Sequence, residues 1–243
     1  MTTLATPRTS GSPILKVARV QLTNRQTFVW VPLLVWGGAF ALTLAVWAAV
    51  YAATGPNTNL YAGSAQAPLW YLLVVGSQSV VYTFPFAQAL SFTRRDFYLG
   101  TLLVYGLVSV VFGAAMWLFG ALEGLTNGWW TGGHYATFEY LGEAGHPGYF
   151  VLYAISALMA LNVGFCMGTI WKRGGTLALT TTLIAMVAVL IGVYFLVAKL
   201  DWWGGLATLL APATAVWVIS LIVAVIAAAA GFISWALIRR TPA

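Results

Sequence analysis

Two short stretches of this chain carry side chains that could do chemistry. The first is the segment 124–148, where His134, Glu139, Glu143 and His146 lie close together. Two imidazoles and two carboxylates are enough donors to ligate zinc, as a membrane metalloenzyme would require. Their spacings match no zinc motif, and the glycines around them point to a solvated polar loop, so no metal is expected. Elsewhere the apolar runs hold no nucleophile paired with an acid or base. No glycine-rich phosphate loop with a lysine is present, so ATP is not bound by that route.

The second stretch is Thr93, Arg94, Arg95 and Asp96, in a chain that is only 7% charged. Threonine before a run of helix formers caps a short helix, and aspartate suits the positive end of its dipole. Two arginines in that first turn do not suit it. They favour an external acidic partner or anionic lipid headgroups, or they are simply a positive anchor for the flanking spans.

The elements around these stretches are set by composition. Of the 243 residues, 61% are hydrophobic and twelve are tryptophan, with a mean hydropathy of +0.88. A soluble domain of that size needs far more charge to cover its surface, so the chain reads as an all-α membrane protein. A bilayer core of roughly 30 Å takes about 20 helical residues. Six runs qualify, near 28–53, 68–91, 100–122, 149–171, 176–198 and 212–238. Gly55-Pro56-Asn57, Pro68, His146-Pro147-Gly148 and Pro212 punctuate them. The first run is too long for a signal-peptide core, and the single Cys166 excludes an internal disulfide.

Ten of the eleven cations, Arg8, Lys16, Arg19, Arg25, Arg94, Arg95, Lys172, Arg173, Arg239 and Arg240, fall on one side of such a bundle. Lys199 falls on the other, with Glu123, Glu139, Glu143 and Asp201. The positive-inside rule then puts both termini in the cytoplasm, with the spans in the plasma membrane. Basic residues confined to span ends also argue against a nucleic-acid partner.

Residues 1–12 read as a flexible cytoplasmic tail. Residues 13–27 follow as an interfacial amphipathic helix, with Ile14, Leu15, Ala18 and Leu22 on one face and Lys16, Arg19 and Thr23 opposite. That helix either anchors the first span or touches a partner. Trp129-Trp130 and Trp202-Trp203 are placed at the outer interface, where indoles partition. Segment 201–214 is either a re-entrant piece or a surface loop. The polar groups inside the spans are neutral: Gln78, Tyr82, Gln88, Asn162 and Thr180, Thr181 and Thr182. A carrier driven by ion coupling normally keeps a charge at that depth, so energy for any transport comes from elsewhere.

The pattern Pro85, Phe86, Thr93, Arg94, Arg95, Phe97, Gly100 and Thr101 resembles the first cytoplasmic loop of bacterial ABC type-2 transporter permeases. The stretch GTIWKRGGTLAL, 168–179, is similar to that family's second cytoplasmic turn. The resemblance implies an exporter subunit without catalysis of its own. A separate cytoplasmic ATPase subunit would bind ATP and Mg, and a second permease copy or paralogue would complete the membrane part. It implies coupling through Thr93, Arg94, Arg95, Asp96 and Phe97, with Phe97 as apolar anchor and Lys16 and Arg19 flanking. It also brings spans two and five together across the dimer, placing Gln78, Tyr82, Thr180, Thr181 and Thr182 near the transport path. A neutral path suits an amphipathic or hydrophobic substrate, such as a drug, antimicrobial peptide or lipid. Gly164, Gly168 and Ala227 to Gly231 are smooth enough for helix contacts, within one subunit or between two. The competing reading is a stand-alone six-span protein that binds or sequesters a lipid or peptide, or scaffolds other membrane proteins.

Overall fold

The computed structural model describes residues 12–55, 60–141 and 146–239. Most of the proposed tail, together with Arg8, Pro56, Asn57, Glu143 and Arg240, lies outside these residues. The protein is an all-α bundle whose helices are α1 (Pro13–Thr23), α2 (Val31–Thr54), α3 (Ala67–Gln78), α4 (Phe84–Ala89), α5 (Arg94–Leu125), α6 (Pro147–Lys199), α7 (Trp203–Leu209) and α8 (Pro212–Ile238). The described strands, β1 (Leu60–Tyr61) and β2 (Gly133–His134), form one parallel pair. Two π-helical turns, Gln26–Trp30 and Ser79–Thr83, join α2 to α1's end and α3 to α4.

Among the described residues five helical segments are long and apolar enough to cross a membrane: Gln26–Thr54, Gly63–Ala89, Arg94–Leu125, Pro147–Lys199 and Thr214–Ile238. The runs expected at 149–171 and 176–198 are thus joined, because Lys172 and Arg173 continue the helix. The break falls at Gly175 alone, with φ 67 and ψ −163, a backbone state that side chains exclude. A straight helix of 53 residues would be roughly 80 Å long, far more than one bilayer crossing needs.

α6 before this break is the centre of the bundle and packs against α3, α5 and α8. Without water to drive association, helices in a membrane cohere through close packing, and small residues permit it. A methyl on Gly164 would overlap the Leu73 carbonyl oxygen, and one on Gly76 would overlap the Leu161 carbonyl. At Gly168 it would lie 2.8 Å from the Ser77 oxygen, and at Gly113 2.8 Å from the Phe150 oxygen. Gly164 and Gly168 therefore serve contacts within the chain. Asn162 ties α6 to α8 by donating to Ala227 O at 3.2 Å, and Tyr98 ties α5 to α8 through Gly231 O at 2.7 Å.

α1 lies on the first turns of α5 through a face turned only partly away from the one that its apolar residues suggest, with Ala18 buried and Ile14 and Leu22 half-buried as expected but Leu15 turned outward. Val17, Ala18 and Gln21 are buried, while Leu15 is 56% exposed. The cause is long-range: Gly100 has no side chain, and a methyl there would sit 2.8 Å from Val17. Lys16 and Arg19 remain exposed.

Candidate functional site

Arg94, Lys172 and Arg239 gather at one end of the bundle. Arg94 Nη1 donates to the carbonyls of Ile238 at 3.2 Å and Arg239 at 2.8 Å, so a cation caps the C-terminal end of α8. Lys172 Nζ lies 4.8 Å over the Phe84 ring, and the Arg239 guanidinium lies 5.0 Å from the Trp235 ring. The chain enters this end through Ser91, whose φ of 62 reverses it sharply. The reversal is held by Gln88, which donates to Phe92 O at 3.2 Å.

Thr93 then caps α5 as its sequence requires. Its Oγ1 accepts from Asp96 N at 3.1 Å and donates to the Asp96 carboxylate at 2.6 Å. Two expectations at this corner need correction. The capped element is no short separate helix but the start of α5 itself, 32 residues long, because no residue from Arg94 to Leu125 is strong enough to stop it. Phe97 is fully buried among Phe84 and Phe165, with ring centroids 5.1 and 6.4 Å away, so it offers no apolar anchor to a partner. Thr93 and Arg95 are exposed, and Arg94 and Asp96 are half-buried with partners inside the chain. Thr93→Ala is expected to cost about 1 kcal/mol, read as a lower melting temperature and faster amide exchange at residues 94–96.

The path residues divide. Gln78 and Tyr82 line a groove of about 460 Å³ with Ser77, Met167, Trp171 and Leu179, where α3 passes the elbow of α6. Thr180, Thr181 and Thr182 do not join them. Their side chains are exposed, and each hydroxyl donates back to its own helix, to Thr176, Leu177 and Ala178 carbonyls. The whole limb after Gly175 is exposed or half-buried and apolar, with no described helix covering it.

The opposite end is ordered by one residue that spacing did not single out. Glu123 is 2% exposed. It accepts from Tyr135 N at 2.7 Å, Ala136 N at 2.8 Å and the Thr137 hydroxyl, with Trp129 Nε1 at 3.4 Å. Successive backbone N–H groups curled round an anion form a nest, here filled by the chain's own carboxylate. Around it Phe40, Phe119, Trp129 and Tyr135 pack with centroids 4.7 to 5.7 Å apart. Burial pushes the Tyr135 phenol above its usual range. Trp129 is therefore a packing residue, whereas Trp130 stays 79% exposed. α7 leaves Trp202 and Trp203 exposed, and Tyr140 hydroxyl donates to Leu210 O.

The histidines hold separate posts. His134 stacks on Tyr61 at 5.2 Å, with Nδ1 3.3 Å from Thr137 Oγ1 and 3.7 Å from Glu123 Oε1. His146 Nδ1 accepts from Gly148 N at 3.0 Å and so caps α6. Among the described residues no three His, Cys, Asp or Glu gather as a metal set. The side chain of Glu139 and all of Glu143 lie outside them. The chain matches no family model, and no curated protein or solved structure is significantly similar to it.

Proposed function

We propose that this chain is the membrane-spanning permease subunit of an ATP-driven ABC exporter for an amphipathic or hydrophobic substrate. In this reading the 53-residue α6 folds at Gly175 into two crossings, giving six spans with both termini in the cytoplasm by the charge rule. The observation that carries it is the basic end. Exposed Arg95 projects from a capped helix start, and exposed Lys16 and Arg19 lie on α1, which is packed against the same helix. A basic docking patch of this kind would recruit an acidic groove on a separate ATPase subunit, with ATP and Mg bound there. The uncovered apolar limb after Gly175 supports a second permease copy, which would complete a path beside Gln78 and Tyr82 and bring Thr180 to Thr182 towards it.

The burial of Phe97 moves the expected docking energy onto charge, so the contact should be salt-sensitive. The test is recovery of partners with the tagged chain from native membranes in mild detergent. An ATPase subunit should come with the wild type and fall by roughly tenfold with Arg95→Glu, about the effect of one lost charge pair. Arg95 is the residue to change, because Arg94→Glu would also strip the cap from α8. Absence of an ATPase, or equal recovery with Arg95→Glu, overturns the exporter and leaves the stand-alone lipid- or peptide-binding reading.

A further inference from the structure

Between α2 and α5 the bundle leaves a crevice of about 350 Å³. Its floor is Pro68 and Leu72 of α3, both buried. Leu33 stands on one wall, Val108 and Val111 on the other, and Leu22 and Phe28 at the α1 end. The crevice exists because α2 packs on α3, while its ring contacts with α5 come further along. There Trp36 and Phe40 meet Phe119 with centroids 4.9 and 4.7 Å away, and this aromatic contact closes the far end. All lining side chains are hydrocarbon except the Trp36 indole, whose N–H is buried, so water finds no partner inside.

Its size and its opening both point to the bilayer. Along α5 it runs from Leu107 to Ala115, roughly 12 Å of helix rise. A hydrocarbon core is roughly 30 Å thick, so this is close to the depth of one leaflet. The rim residues Leu33, Leu107 and Val111 are exposed, so the crevice opens sideways. Arg25 stands at the α1 end of it. It opens the π-helical turn Gln26–Trp30, four residues ahead of Val29, and so shares a face with that lining residue. Such turns are rare and cluster at functional positions, and this one is pinned by Tyr71, whose hydroxyl donates to Thr27 O at 3.0 Å. Arg25 is exposed, and its guanidinium meets no acceptor among the described residues. From Pro13 to Trp30 the chain carries Lys16, Arg19 and Arg25 and no acidic residue at all.

We propose that this crevice holds one acyl chain of an anionic phospholipid whose phosphate is bound by Arg25. On the open side the bilayer is the solvent, and its chains are what wets a groove with hydrocarbon walls. The crevice length matches a chain from one leaflet, and the Trp36–Phe119 contact stops the chain at its far end. Walls alone would take any lipid, so the headgroup is chosen by the cation. A guanidinium pairs with phosphate through two parallel hydrogen bonds. A zwitterionic headgroup brings its own ammonium to that phosphate, whereas an anionic one leaves its charge to Arg25, with Lys16 and Arg19 adding to the local positive field. The inference goes beyond the exporter reading and stands if no ATPase is ever found.

The test places the full chain in phosphatidylcholine nanodiscs doped with phosphatidylglycerol that carries a diazirine midway along one acyl chain. After illumination the labelled peptides are mapped by mass spectrometry. Segments 29–36 and 107–115 should be labelled roughly fivefold more than 184–196 on the exposed limb, which bulk lipid touches freely. The same diazirine on phosphatidylcholine should give no such excess. Arg25→Gln changes an exposed residue, so melting temperature and limb labelling should hold while the phosphatidylglycerol excess falls by about fivefold, the worth of one basic residue at an anionic surface. Val111→Trp puts an indole into the open crevice and should cut labelling of 29–36 by either lipid without lowering the melting temperature. Equal labelling of crevice and limb, or an excess that persists with phosphatidylcholine or in Arg25→Gln, overturns the site and leaves a groove wetted by bulk lipid.

Discussion

Gly164→Val should leave almost no folded protein. A methyl at Gly164 already overlaps the Leu73 carbonyl oxygen, and valine adds two more carbons at a place where the obstacle is backbone. Nothing near can swing aside, because Gly76 on the facing helix is locked in the same way against Leu161 O. To admit the side chain, α3 must move away from α6, undoing the contact on which Leu72, Val75, Leu161 and Phe165 are buried. Overpacking a well-filled core costs about 1–3 kcal/mol where side chains can yield, and more here, where they cannot. The expected result is loss of the monodisperse peak on size exclusion in detergent. Gly192→Val is the matched control, on the uncovered limb with open space around its α-carbon. It should shift stability by no more than about 0.5 kcal/mol. A monodisperse Gly164→Val protein with the wild-type melting temperature would mean that α3 and α6 do not cross there.

The same pair of glycines marks what a sequence can and cannot say. The spans are legible because runs of apolar residues have one use, and Thr93 is legible because its cap is satisfied three residues away. Gly164 and Gly168 are visible as small residues, but their partner depends on a crossing between helices some ninety residues apart. The outward turn of Leu15 on α1 was hidden for a like reason, since the absent side chain at Gly100 decides it. Lys172 and Arg173 read as a loop by charge, yet both are good helix formers, and only the geometry at Gly175 stops the helix. Gln21 could not be told from a solvated residue until Thr101 was found beside it. In each case local rules placed the element and long-range contact chose its face.

Glu123→Ala should unfasten the whole far end while sparing the core. The carboxylate sits in the last turn of α5, where the helix dipole disfavours a negative charge, so local energetics give no reason for it. Its reason is the loop. Asn127, Trp129 and Trp130 all hold positive φ, between 49 and 59, a state that costs roughly 1–2 kcal/mol for each such residue. The hydrogen bonds that Glu123 receives from residues 135–137 fold the segment back over Phe40 and Phe119 and hold it there. Alanine would strand two buried N–H groups and empty the nest, a loss on the order of 3 kcal/mol confined to this cap. Amides 126–138 should then exchange faster by about a hundredfold, and protease should cut between Thr126 and Phe138. Helices α3, α5 and α6 should keep their protection, since none of their crossings passes through Glu123. Glu123→Gln keeps an acceptor oxygen and should fall between the two. Unchanged protection at Tyr135 and Ala136 in the alanine variant would show that the aromatic cluster alone orders the loop, and that the carboxylate is not what holds it.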